Sequence, residues 1–263
     1  MGTLDHFACG TTSHALALLF RGAPRQVRSF PAGAFLYRSP AATVLFDTGY
    51  APDTASAGPA AWLYSRLVPP VVRPGETIDA QLRRAGVDPD EVTHVVLSHA
   101  HPDHLGGVRY FPAARFILSA GIAESLAAPR LKEGILRGLL PDWFASAPRT
   151  VLTSEAFVPH RIGPLTVPAH DLLGDGSYLI ASLPGHARGH VGAVVESRVL
   201  LAGDAAWGAD LVDEIPAMRC LPRLIQDDAV AYAETAAGLR DFETAGLRVC
   251  LAHDAYPEAR LLP

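Results

Sequence analysis

The stretch Ser98-His99-Ala100-His101-Pro102-Asp103-His104-Leu105-Gly106-Gly107 constrains this chain more than any other. It sets three imidazoles and one carboxylate within six residues, directly after the apolar run Val95-Val96-Leu97. A short apolar run bounded by Gly and Pro reads as a buried strand. The cluster then falls where a strand passes into a loop, a common place for a site on a rigid scaffold. Imidazole and carboxylate are the usual ligands of zinc and related divalent metals. The spacing lets His99 and His101 reach one metal. Asp103 and His104, further round the turn, reach a second. Gly106-Gly107 lets the backbone pass close to the site. A histidine-rich surface loop is the plainer reading, but chance rarely sets His-x-His-x-Asp-His before a glycine pair.

The rest of the composition limits what surrounds this cluster. Of 263 residues, 49% are hydrophobic, ample for a large core, and α/β domains of this size exist as single units. Residues 1–263 are therefore read as one domain. The net charge of -5, without a long basic run, argues against a nucleic-acid partner. Cys9, Cys220 and Cys250 lie far apart without C-x-x-C spacing. They are read as small hydrophobes in a reducing cytosol. Met1 to Ala8 lacks a basic region followed by an apolar core, and the run His14 to Phe20 is too short for a membrane span. The expectation is a cytoplasmic protein with no membrane span.

Ala34-Phe35-Leu36-Tyr37 and Thr43-Val44-Leu45-Phe46 are β-prone runs that predict a hairpin leading into Asp47-Thr48-Gly49. Tyr50 to Pro74 is read as a loop with a short helix near the site mouth. Thr77 to Ala85 reads as a helix stopped by Gly86. Val92 to Leu97 and Arg115 to Leu118 read as strands. Ala120 to Ala147 carries helical spacing broken by Pro129 and Pro141, and predicts a helical insertion that packs over the core or walls an apolar pocket. Further strands are expected between Val151 and Leu201. Asp227 to Phe242 reads as a helix, and Leu247 to Leu251 as the closing strand.

His99-Ala100-His101-Pro102-Asp103-His104 resembles the signature of the metallo-β-lactamase superfamily of hydrolases. The resemblance implies an α/β fold, a four-layer αβ/βα sandwich of two similar β-rich halves. It also points to downstream ligands: His186 in Pro184-Gly185-His186, Asp204 in Ala202-Gly203-Asp204, and His253 in Ala252-His253-Asp254. By chemistry alone His190 competes with His186. The implied assignment is His99, His101 and His186 on one metal, Asp103, His104 and His253 on the other, and Asp204 bridging. Asp47 is implied as an outer support, because a metal-bound imidazole needs an acceptor for its other nitrogen. The implied cofactors are two divalent ions, zinc by default, with iron, manganese or cobalt fitting similar sites.

The implied chemistry is hydrolysis in which a bridging hydroxide attacks an ester-like carbonyl. Asp103 is the candidate proton shuttle to the leaving group, and Asp204 the second catalytic candidate. No Gly-x-Ser-x-Gly elbow is present. Within the superfamily the chain is most similar to the N-acyl homoserine lactonase branch, with its quorum-quenching role. The similarity rests on Asp47-Thr48-Gly49, Asp rather than Cys at 204, Asp213-Glu214-Ile215-Pro216 and His253-Asp254. One departure is Trp207, where the lactonases often carry a Tyr whose hydroxyl binds substrate; an indole offers only an N–H. The expected partner is a small lactone or ester, and a homodimer stays open. A glyoxalase II-like thioesterase ranks lower, because only a few residues follow His253. A phosphodiesterase is disfavoured by charge. A non-enzymatic metal-binding protein is disfavoured by the complete ligand set.

Overall fold

The computed structural model describes residues 2–263 and arranges thirteen strands in two sheets. The first half supplies β1 (Thr3–Ala15), β2 (Val27–Arg38), β3 (Thr43–Phe46), β4 (His94–Val96), β5 (Arg115–Ser119) and β6 (Arg149–Leu152). The second supplies β7 (Val158–Ile162), β8 (Leu165–Asp171), β9 (Tyr178–Ser182), β10 (Val191–Val195), β11 (Val199–Gly203), β12 (Arg248–Leu251) and β13 (Arg260–Leu262). The helices are α1 (Leu16–Leu19), α2 (Pro59–Leu67), α3 (Ile78–Arg84), α4 (Pro102–Leu105), α5 (Ala120–Ala127), α6 (Cys220–Leu224) and α7 (Ala229–Thr244). None is long and apolar enough to cross a membrane.

One sheet runs β13-β1-β2-β3-β4-β5-β6 and the other β12-β11-β10-β9-β8-β7. The β2–β3 hairpin expected from the sequence is present, with Phe35 opposite Phe46 and Tyr37 opposite Val44. From β3 to β6 the pairing is parallel, as it is between β11 and β12. Strands covered on both faces read as unbroken apolar runs rather than alternating ones, and β10 and β11 are buried throughout. Their two faces serve different layers. Val191, Ala193 and Val195 join Phe35, Tyr37 and Phe46 between the sheets, where Tyr37 meets Tyr178 of β9 with ring centroids 5.6 Å apart. Val194 and Leu200 face Tyr232 and Leu239 of α7. Ile78, Leu82, Ile122 and Leu126 of α3 and α5 cover the other sheet. The result is the expected four-layer helix–sheet–sheet–helix sandwich.

Local signals explain the helix ends. Asp228 caps α7 by accepting from the Val230 and Ala231 amides, and Ser119 caps α5 through the Ile122 amide. The 120–147 insertion is less helical than its spacing predicts. Only α5 is an α-helix, followed by 3-10 turns at Leu131–Glu133, Arg137–Leu139 and Asp142–Ser146. Pro129 and Pro141 break the hydrogen-bond ladder that a longer helix needs. β13 carries no periodic signal in the sequence, since three residues are too few to show a period.

Candidate metal centre

Every ligand loop leaves the same end of a strand. β3 runs into Asp47, β4 into Ser98 and His99, β9 into the loop carrying His186, β11 into Asp204, and β12 into His253. After His101 the chain makes the single turn α4, with Pro102 in its first position, where a missing N–H costs nothing. That turn carries Asp103 and His104. The glycine pair is demanded by close packing. A Cβ on Gly106 would lie 2.2 Å from the Ala51 nitrogen, and one on Gly107 2.4 Å from the Thr48 oxygen.

The structure brings all seven sequence-predicted ligands together. Three groups form: His99, His101 and His186; His99, His104 and Asp204; Asp103, His104 and His253; in each, the ligand atoms lie within 4.8 Å of one another. His101 Nδ1 faces His99 Nε2 at 2.8 Å and His186 Nε2 at 3.1 Å. Asp103 Oδ2 lies 3.7 Å from His104 Nε2 and 3.6 Å from His253 Nε2. Asp204 spans both sides: one oxygen is 3.2 Å from His104 Nε2, the other 3.3 Å from His186 Nε2 and 3.0 Å from His253 Nε2.

The far nitrogens of these rings are held from outside. His104 Nδ1 donates to Asp47 Oδ2 at 2.8 Å. Asp47 also accepts from the Ser98 amide and hydroxyl, both at 2.7 Å. His186 Nδ1 donates to Gln226 Oε1 at 2.8 Å, and His253 Nδ1 to the Pro31 carbonyl at 2.7 Å. His99 Nδ1 lies 3.0 Å from Ser98 Oγ. His190 has no nitrogen to spare: Nδ1 donates to the Leu183 carbonyl and Nε2 accepts the Asp204 amide. Of the two, His186 turns a ring nitrogen toward the cluster and His190 does not.

Burial keeps His99 and His186 well below the usual imidazole range, that is, in the neutral form that binds metals. Burial opposes charge on His104 too, but Asp204, Asp47 and Asp103 around it raise it well above that range. Burial likewise opposes ionisation of Asp204, yet His253 and His104 hold it well below the carboxylate range.

The profile described as "Metallo-beta-lactamase superfamily" matches residues 30–247. The chain belongs to the metallo-beta-lactamase superfamily. It is a metal-dependent hydrolase. Among curated relatives of this superfamily member is N-acyl homoserine lactonase AiiB of Agrobacterium fabrum, 29% identical over 252 residues, 88% of this chain and 82% of that one. N-acyl homoserine lactonase AttM of Azorhizobium caulinodans is 28% identical over 243 residues, 89% of this chain and 86% of that one. A crystal structure of a quorum-quenching N-acyl homoserine lactone hydrolase superimposes with a TM-score of 0.72 at 18% identity, covering 97% of this chain and 93% of the other. That likeness shows the fold.

Several site residues of this metallo-beta-lactamase superfamily member carry no sequence signal. Gln226 acts from α6's end and Pro31 through its backbone. Arg28 donates to the Trp207 carbonyl at 2.9 Å and pairs with Asp210 at 2.8 Å and Asp254 at 3.0 Å, tying together the loops after β11 and β12. The insertion also reaches the site. A Cβ on Gly134 would lie 4.0 Å from the His101 ring, and the carboxylate of the adjacent buried Glu133 pairs with Arg188 Nε at 3.0 Å. Trp207 packs its ring edge-on between Phe20 and His186, centroids 6.4 and 6.3 Å away.

Proposed function

We propose that this hydrolase opens lactones, N-acyl homoserine lactones foremost, at a dinuclear zinc centre, and that residues 1–263 work as one unit in doing so. The observation that carries the reading is the position of Asp204, within 3.3 Å of imidazoles from both halves of the cluster. The substrate class rests on the lactonase relatives, matched along more than four-fifths of their length.

The residues fit such a centre. His104 Nε2 and Asp204 Oδ1 are buried without a hydrogen-bond partner among the described residues. Leaving such groups unmatched costs about 1–3 kcal/mol each, a cost that coordination removes. Inward nitrogens with outward acceptors are what metal-ligating histidines show. We assign His99, His101 and His186 to one ion, Asp103, His104 and His253 to the other, and Asp204 to both. Five imidazoles beside two carboxylates suit zinc, with iron, manganese and cobalt as alternatives.

Bound divalent ions would supply Lewis acidity and a water whose pKa falls toward about 7. The chain's own residues do the rest. Ser98, Asp47, Gln226 and Pro31 fix ring orientation. Asp103 is the carboxylate placed to hand a proton to the leaving oxygen. Trp207 offers an indole N–H and no hydroxyl, which favours, as a second reading, a lactone or carboxylic ester outside the N-acyl homoserine class.

The test is turnover of N-acyl homoserine lactones, simple lactones, a glutathione thioester and a phosphodiester by zinc-loaded protein, with metal content measured on the same sample. Lactone opening that stops on chelation and returns with zinc is the expected result. Two bound metals with no lactone opening overturns it.

A further inference from the structure

Three tyrosines lie in the field of the cluster's carboxylates, and none has a role so far. Tyr50 ends the Asp47-Thr48-Gly49-Tyr50 segment that braces His104, and its backbone lies against Gly106. It is fully buried. Its hydroxyl meets that of Tyr64, on α2, at 3.0 Å. Tyr232, on α7, is also fully buried, with its ring centroid 5.8 Å from that of His186 and its hydroxyl without a partner.

Counting protons separates them. The Tyr50–Tyr64 contact uses one of two O–H donors. Tyr50 is sealed in the core and finds no acceptor there other than Tyr64. Holding its proton back would leave a buried donor unmatched, at a cost of about 1–3 kcal/mol. Tyr50 therefore donates and Tyr64 accepts. Tyr64, only half-buried, keeps a proton that no acceptor among the described residues takes up. Burial, and next the Asp103 carboxylate, push both hydroxyls above the usual phenol range, so both stay protonated at neutral pH. Tyr232 differs: it packs with Ile215, Met218 and Leu239 in the cluster under α7.

We infer that Tyr64 is a substrate-binding residue that donates a hydrogen bond to an oxygen of the lactone's ester group, and that Tyr50 is a positioning residue that fixes the direction of that donor. The inference rests on the lactone-opening reading. It assigns α2 and the residue after Asp47-Thr48-Gly49 to substrate recognition rather than to metal binding.

The experiment compares zinc-loaded wild type with Tyr64→Phe, Tyr50→Phe and Tyr232→Phe. For each, kcat and KM on a lactone, metal content, thermal midpoint and calorimetric affinity for the ring-opened hydroxy acid are measured. Tyr64→Phe is expected to lower kcat/KM by about 10- to 100-fold, the worth of one hydrogen bond to substrate, with metal content and midpoint unchanged. Product affinity should fall with it. Tyr50→Phe should act in the same direction by less, since the Tyr64 donor remains but is free to turn. Tyr232→Phe should leave kcat/KM unchanged. The inference is overturned if Tyr64→Phe stays within about twofold of wild type, or loses activity only in proportion to lost metal. A wild type that holds metal and opens no lactone overturns the lactone reading as well, so the two failures are told apart.

Discussion

His104 and His101 stand a few residues apart and are braced by different kinds of structure. His104 leans on Asp47, which sits at the end of β3 and is itself held by the Ser98 amide and hydroxyl. Asp47 adopts a left-handed φ of 60°, a strain tolerated by few residues other than Gly, Asn and Asp. His101 stands instead beside the turn-rich insertion, where a Cβ on Gly134 would lie 4.0 Å from its ring. One brace is built from strand ends inside the core, the other from a loop laid over it. The cluster thus has a rigid wall and an adjustable one. Alterations to the rigid wall should cost metal; alterations to the adjustable wall should mainly tune.

The severest break removes the residue that faces both halves of the ligand cluster. Asp204→Ala is expected to lose metal and activity together, by roughly three orders of magnitude or more in kcat, since several kcal/mol of charge stabilisation go with it. Metal analysis beside kinetics checks this, and a fully active variant with two metals would sink the ligand assignment. Next comes Asp47→Asn. Asparagine tolerates the same backbone conformation, so the change isolates the carboxylate. Metal affinity should fall about 10- to 100-fold, read by competition with a chelator. Wild-type affinity in this variant would remove Asp47 from the supporting role.

The same contrast marks what could be read in the sequence. The cluster from His99 to His104 was legible because its ligands are local: a strand, a turn and a glycine pair bring them together within one short segment. The strands from β9 to β12 were legible as apolar runs. The downstream ligands are not separable by residue type: by chemistry alone His190 matches His186, and what sets His190 apart is that both of its nitrogens are engaged elsewhere. The bracing groups were mostly invisible. Pro31 serves through a carbonyl that any residue would supply, Gln226 meets His186 across 40 positions, and Glu133 looks like any acidic residue on a helical segment. Such contacts depend on how the layers pack, and no periodicity records them.

Glu133→Gln probes the adjustable wall. It removes the buried partner of Arg188 while Glu124, 3.5 Å from Arg188, still offsets its charge. The expected outcome is a loss of about 1–3 kcal/mol of stability. Metal affinity should fall by less than about tenfold, below the usual range for an anchored outer acceptor. Chemical denaturation and the same chelator competition give both numbers. An affinity loss matching that of Asp47→Asn would show that the insertion is as rigid a support as the strand ends, and the contrast between the walls would disappear.

The smallest effect tests where the scaffold stops and the site begins. Asp228 caps α7 and also donates its own amide to the Gly185 carbonyl, next to His186. Gly185 is pressed against α7 so closely that a Cβ there would lie 2.1 Å from the Tyr232 nitrogen. Asp228→Ala removes only the side-chain cap; the backbone contact that carries the His186 loop stays. Stability should drop by about 1 kcal/mol, visible in denaturant midpoints, while metal affinity and kcat/KM remain at wild-type values. The reason is that His186 is oriented by Gln226 through a hydrogen bond that does not pass through the cap. A loss of metal with the cap would mean that the end of α7, rather than Gln226, sets the His186 ring, and would move the rigid wall outward to include the helix layer.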